Sequence, residues 1–167
     1  GSSALNALTS GANNTAVGYQ SLKVNEDGEN NVAVGYNALD ANVSGDLNVA
    51  VGVDALGAYI GNAAVAVGRE ALRNLNHADA IGTVGIGQGA GASITSGIGN
   101  VAIGYQSLDA EDDGDFSTAV GHQALTAQNT SAGTSANTAV GYQAASGLTS
   151  ATGVTAIGYK AGGNATM

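Results

Sequence analysis

The chain of 167 residues contains no cysteine, no proline and no tryptophan, one phenylalanine, and only four lysines and arginines. Without cysteine there are no disulfides and no metal–thiolate sites. With so few aromatic rings, the groups that usually fill a three-dimensional core are missing. Lys23, Arg69, Arg73 and Lys160 are scattered, and 13 acidic residues bring the net charge to −9. Phosphate backbones and anionic bilayers are held by clustered Lys and Arg, so neither nucleic acid nor an anionic membrane surface is an expected partner. No apolar run approaches the ~18–20 residues of a membrane-spanning helix. The opening "GSSALNAL" has neither the basic region nor the apolar stretch of a signal peptide.

Catalytic chemistry is equally short of material. There is no Ser-His-Asp spacing, no thiol, and no pair of carboxylates placed on a cleft. "GIGQGAG" (residues 85 to 91) is glycine-rich but lacks the Lys-Ser/Thr and the following helix of a phosphate loop. The chain is expected not to be an enzyme and to hold no cofactor.

What the chain has is glycine, 27 residues of it, and 44% apolar residues that recur in phase. A glycine-rich disordered linker would not keep its valines in phase. "NTAVGYQSL" is followed by "NVAVGYNAL", "NVAVGVDAL", "AVAVGREAL", "NVAIGYQSL", "STAVGHQAL" and "NTAVGYQAA". The anchor glycines of this motif are Gly18, Gly35, Gly52, Gly68, Gly87, Gly104, Gly121, Gly141 and Gly158, spaced by 17, 17, 16, 19, 17, 17, 20 and 17 residues. Gly1 fits one period earlier. The sequence is thus about ten copies of one unit of about 17 residues, in a single repeat domain spanning 1–167.

Each unit has three parts. A short alternating segment such as Thr15-Ala16-Val17 predicts a strand. A small-then-large apolar pair follows, as in Ser21-Leu22 or Ala38-Leu39. A polar connector then closes the unit, usually with a turn glycine such as Gly28, Gly45, Gly97 or Gly114. Strand, turn, strand, turn every 17 residues predicts one coil of an all-β, parallel β-solenoid. Seventeen residues are too few for a helix pair with its turns, and the glycines would weaken each helix by ~1 kcal/mol. The six-residue aliphatic period of a hexapeptide helix is absent.

Stacked coils align equivalent residues in columns ~4.8 Å apart. Val17, Val34, Val51, Val67, Ile86, Ile103, Val120, Val140 and Ile157 form one aliphatic column, expected to be the structural core of the repeat. Thr15, Val32, Val49, Val65, Val84, Val101, Thr118, Thr138 and Thr155 share its face. The opposite face carries only Ala16, Ala33, Ala50, Ala66, Gly85, Ala102, Ala119, Ala139 and Ala156. Two readings of this bare face stand: it fits a narrow roll interior, or one of the two faces packs against sister chains about a shared axis. Thin coils of small residues bury little area, at ~25 cal/mol per Å², which favours oligomerisation.

"NTAVGYQSL", "NVAVGYNAL" and "NVAIGYQSL" resemble the head repeats of trimeric autotransporter adhesins, and still more the repeats of bacteriophage tail-fibre proteins. The resemblance runs over essentially the whole chain. It implies a left-handed parallel β-roll, a homotrimer with chains side by side, and a stiff rod on a cell or virion surface. It also implies an extracellular adhesive or spacer role, with a host surface protein or glycan as partner. The adhesin heads run at shorter periods than the 17 residues here. No membrane anchor, coiled-coil heptads or self-cleaving chaperone domain accompany the repeats.

Irregular coils and polar loops supply the remaining candidates. The connectors Arg73 to Gly82 and Thr126 to Ala136 are long, and the fifth coil, "TVGIGQGAG", replaces the leucine by Gly91, which marks a weak point or bend. Asp109, Glu111, Asp112, Asp113 and Asp115 form an oxygen-rich loop, a Ca²⁺ candidate against the plainer reading of a solvated acidic loop. His77 and His122 are the only histidines, and His122 could form a threefold cluster if its slot faced a trimer axis. Tyr19, Tyr36, Tyr105, Tyr142 and Tyr159 form a column that either stacks coil on coil or binds a glycan or protein surface. Asn13, Asn42, Asn129 and Asn164 lie in glycosylation sequons. The tail "GGNATM" placed before the head "GSSAL" imitates the motif, so end-to-end self-association is expected, since open sheet edges pair with other chains. An ice- or surface-binding solenoid is the alternative function, although the Thr/Val column is mixed. A glycan-active solenoid enzyme would require clustered Asp or Lys/Arg in a groove.

Overall fold

The structure, a computed structural model, describes residues 1–130 and 133–163. It is a parallel β-solenoid. Nine three-residue strands form one sheet: β1 (Thr15–Val17), β2 (Val32–Val34), β3 (Val49–Val51), β4 (Val65–Val67), β5 (Val84–Ile86), β6 (Val101–Ile103), β8 (Thr118–Val120), β10 (Thr138–Val140) and β11 (Thr155–Ile157). Every neighbour is parallel and in register, so alanine lies beside alanine and the flanking positions match in the same way. Two short strands in the connectors, β7 (Gly114–Asp115) and β9 (Gly133–Thr134), pair with each other. Eight steps of about 4.8 Å make the main sheet roughly 38 Å long. Residues 1–14 add a partial turn, tied to the next coil by the Gln20 and Leu5 amides, which donate to the Ser2 and Ser21 carbonyls.

Each coil holds one main strand, where the sequence predicts two. The small-large pair is a corner instead. Gln20 and Leu22 both adopt positive φ, 57° and 48°, and the leucines at 39, 56, 72, 108 and 125 lie between 50° and 54°. A non-glycine residue there costs roughly 1–2 kcal/mol. The corner offsets this cost by binding its neighbours: the Leu22 amide donates to the Ala38 carbonyl at 3.1 Å and the Leu39 amide to that of Ala55 at 3.0 Å. It also turns each leucine into the roll, where the leucines at all six positions are fully buried.

The leucines decide which sheet face is the core. Ala33, Ala50, Ala66, Ala102, Ala119 and Ala139 are fully buried beneath them. At Gly85, which occupies the alanine slot, an added Cβ would lie 2.7 Å from Cγ of Leu72. The corner leucine therefore packs onto the strand, and only a small residue leaves it room. Of the two readings of the bare face, the roll interior is the observed one. The expectation that Val17, Val34, Val51, Val67, Ile86, Ile103, Val120, Val140 and Ile157 form the core is overturned. These residues lie on the outer face, half-buried at best, with Val17 56% and Ile157 68% exposed. Their neighbours at 15, 32, 49, 65, 84, 101, 118, 138 and 155 share that outer face and are likewise half-buried or exposed.

A polar ladder closes the third side of the roll. Asn48 is buried, donates Nδ2 to the Gly61 carbonyl at 2.8 Å and accepts the Ala64 amide at 3.0 Å, while its own amide donates to Oδ1 of Asn31 at 2.9 Å. Asn14, Asn31, Asn100 and Asn137 repeat the pattern. Each coil is thereby bonded to the next through side chains as well as backbone. The slot before β4 holds Ala64, and there the buried Tyr59 hydroxyl donates to the carbonyls of Asn62 and Ala80, at 2.8 and 3.2 Å. Burial pushes this phenol up to about 12.

The fifth coil carries the main ladder without interruption, pairing with β4 and β6 in register. Its missing leucine is compensated: side-chain atoms of Leu72 and Ile94 lie within 3 Å of where a Cβ on Gly91 would sit, and Ile94 is fully buried. The long connector before β5 puts its extra residues outside, with residues 76 to 79 all exposed.

Candidate interaction surfaces

The outer sheet face is the first candidate. From β2 to β6 both of its strand columns are purely aliphatic, ten Val and Ile side chains in parallel rows. Threonine enters at Thr15, Thr118, Thr138 and Thr155. Val67, Ile86 and Val140, inside the ladder rather than at its ends, are still 36–38% exposed. A flat, contiguous apolar strip of this kind marks an interaction site, whereas single exposed apolar residues do not. No charged side chain occurs in these columns.

The second candidate is the column after the anchor glycine. Tyr19 stacks on Tyr36 with centroids 5.4 Å apart and planes 14° from parallel. Tyr105, His122, Tyr142 and Tyr159 form a continuous stack with centroid steps of 5.0, 5.3 and 5.4 Å. The rings are 41–74% exposed where tyrosine occupies the slot. Because each ring covers its neighbour's face, the stack presents ring edges and hydroxyls outward. Tyr159, the last ring, has Nζ of Lys160 at 5.4 Å from its centroid. Beside it runs an amide ladder, in which Gln123 donates to Gln106 at 3.3 Å and Gln143 to Gln123 at 2.9 Å. His122 belongs to this exposed stack and not to the aliphatic face. His77 lies in the exposed connector, where its Nδ1 accepts the Asp79 amide at 3.3 Å.

The five acidic residues of the Ca²⁺ candidate do not converge. Glu111 points inward and is fully buried. It accepts the amides of Asp112, Gly114 and Thr130 at 3.1, 3.0 and 3.2 Å, along with donors from the Gln128 and Thr130 side chains. Asp112 and Asp113 accept from Thr95 and Ser96, and Asp115 accepts the Ile98 amide at 2.8 Å. Asp109 stands apart, near Arg73 and Glu70. Among the described residues no three His, Cys, Asp or Glu side chains are grouped to hold a metal ion. The acidic composition of this loop suggests a solvated patch or an ion site. Glu111 is instead a buried acceptor that organises the 20-residue step between β8 and β10, where Gln128 also donates to Ser117 at 2.9 Å and accepts from Asn137 at 2.8 Å.

Burial holds the carboxyls of Asp40 and Asp109 above their usual range; for Asp40 the nearby Asp54 adds to the shift, and for Asp109 Glu70 does so against the opposing pull of Arg73. The folded state therefore binds these protons more tightly than the unfolded chain. Their contribution to stability is fully present below the ordinary value of 3.8 and is lost as pH rises through the higher folded value. Asp40→Asn is expected to raise the melting temperature at neutral pH, by roughly 1–3 °C for a chain of this size, and to flatten the profile on acidification. Thermal melts of both proteins across the acid range check it.

A cavity of about 410 Å³ opens at the C-terminal coil, lined by Gln143, Ser146, Lys160, Gly162 and Gly163. No helix is long and apolar enough to cross a membrane among the described residues. Asn164 and the tail that imitates the motif lie outside the described residues. No family model matches this chain, and neither curated proteins nor solved structures yield a match.

Proposed function

We propose that the chain is a structural segment of an extracellular adhesive fibre, in which copies join through the outer sheet face into a trimeric rod. The observation that supports this reading most is the aliphatic face itself. It is long, flat and free of charge, and the alanine–leucine interior does not use it. Burying such a face against sister chains supplies the apolar area that a roll one alanine and one leucine thick lacks. Parallel, in-register columns suit a rotational axis along the rod, because each copy then presents the same rows to its neighbour. Three copies follow from the resemblance to the adhesin and tail-fibre repeats. Among the described residues β1 and β11 each pair along one edge only, and such edges suit end-to-end extension.

The test is oligomeric state with a single charge on the face. Val67→Glu places a carboxylate at its centre and leaves the alanine–leucine interior untouched. Sedimentation equilibrium should give three times the chain mass for the parent protein and the monomer mass for the variant, with β-type circular dichroism retained. A parent protein that is monomeric at micromolar concentration would defeat the proposal. Ice-recrystallisation activity in such a monomer would favour the surface-binding alternative.

A further inference from the structure

Two pairs of tyrosines in this chain are held face to face on the surface, and we infer that they are sites of oxidative tyrosine–tyrosine cross-linking. The pairs are Tyr19 with Tyr36 and Tyr142 with Tyr159. Their centroids lie 5.4 Å apart in both cases, with planes within 14° and 10° of parallel. All four rings are between 43% and 74% exposed, so an oxidant reaches them. The parallel ladder repeats the ring one coil further on, which brings like edges of two phenols together.

The chemistry balances with an external one-electron oxidant, such as a peroxidase consuming hydrogen peroxide. Each phenol gives up one electron and its hydroxyl proton. The unpaired electron is shared with the ring carbons ortho to oxygen. Two such carbons join in a carbon–carbon bond, and their hydrogens move to the oxygens as the rings regain aromaticity. One cross-link therefore releases two protons and two electrons, which reduce one peroxide to water.

The remaining tyrosines act as internal controls. Tyr105 stacks on His122, which separates it from Tyr142, so it has no phenol beside it. Tyr59 is fully buried and its hydroxyl is engaged by two carbonyls. Of six tyrosines, only the four in the two pairs are placed to react. The pairs also join the first two and the last two strands of the sheet. A chain with no cysteine has no disulfide with which to fasten them.

The experiment exposes the intact protein to horseradish peroxidase and limiting peroxide, then maps peptides by mass spectrometry. The expected products are an intramolecular link between Tyr19 and Tyr36 and another between Tyr142 and Tyr159, each two hydrogens lighter, with the fluorescence of coupled phenols. Tyr36→Phe should remove the first link only, and Tyr159→Phe the second only. His122→Tyr fills the gap in the longer stack and should bring Tyr105 into the products. Links that involve Tyr105 in the parent protein, links that join separate chains, or single oxidised tyrosines without coupling would each overturn the inference. Circular dichroism before and after oxidation shows that the roll, and not an unfolded chain, was the reactant.

Discussion

Gly52→Ala is expected to abolish cooperative folding of the central coils. Gly52 holds φ at 140°, a conformation open essentially to glycine alone. A methyl group there would also meet the next coil, lying against the carbonyl oxygen of Gly68 and 2.6 Å from its carbon. Neither contact can relax, because the Gly68 amide is bonded back to the Val51 carbonyl at 2.7 Å and every anchor glycine sits in the same way above the next. Strain and overpacking together amount to about 3–5 kcal/mol, a large part of the whole stability of an ordinary domain. Chemical denaturation followed by circular dichroism should show a much lower midpoint or no folded baseline. Gly153→Asn is the control. Its φ is 69°, a region that asparagine tolerates, and nothing lies within 4 Å of the added carbon. It should melt close to the parent protein. Equal damage from both substitutions would mean that backbone strain, and not coil-to-coil approach, sets the cost.

Asn48→Ala is expected to be nearly as harmful. It removes the donor to the Gly61 carbonyl and the acceptor of the Ala64 amide in one step, both in the buried interior. Each orphaned group costs about 1–3 kcal/mol. The chain tolerates alanine in this column only at Ala64, where the Tyr59 hydroxyl reaches across to the neighbouring carbonyls. Asn48→Asp separates the two losses. It keeps an acceptor for the Ala64 amide, loses the donor, and places a charge where water is excluded. Burial raises such a carboxyl, so the variant should be the less stable of the two at neutral pH and regain stability as pH falls and the group takes up its proton. Denaturation midpoints at neutral and acid pH measure this. A variant with no more recovery on acidification than the parent protein would show that the Asn48 site is open to solvent.

Much of the fold is legible in the sequence because repetition amplifies weak signals. A three-residue strand such as Val49–Val51 is too short to identify alone, but nine of them at one spacing are not. What misleads is the ordinary rule that the more apolar face is the core. Valine is a stronger hydrophobe than alanine, yet Val51 faces out, because the corner leucines, Leu56 among them, fill the roll beneath the alanine column. The useful signal is volume: a small residue on the strand matched to a leucine six positions later, as in Ala50 and Leu56. The positive-φ leucines are invisible to propensity, which places leucine in helices. The asparagine before five of the nine main strands is in the repeat motif itself, and its role follows only once the neighbouring coil is seen to offer it a carbonyl and an amide. For the candidate surfaces, the tyrosine column is readable from spacing, whereas its division into two pairs and a spared Tyr105 depends on stacking geometry. Glu111 is misread because its acidic neighbours suggest water, while its partners Gln128 and Thr130 lie 17 and 19 residues further on.

The buried column that starts at Asn25 runs on through Asn42, Tyr59, Leu75, Ile94, Glu111, Gln128 and Leu148. Almost everywhere else, a chain that threaded one coil late would still set alanine on alanine and valine on valine, at the loss of a single layer. In this column the error would be felt throughout. Slipped by one coil, Glu111 would lie where Ile94 or Gln128 belongs, and its carboxylate would face the wrong donors or none, at a cost that grows with burial. The departures from the repeat are therefore addresses. They give each layer an identity that the uniform strands cannot, and they allow a nearly periodic chain to settle into a single alignment.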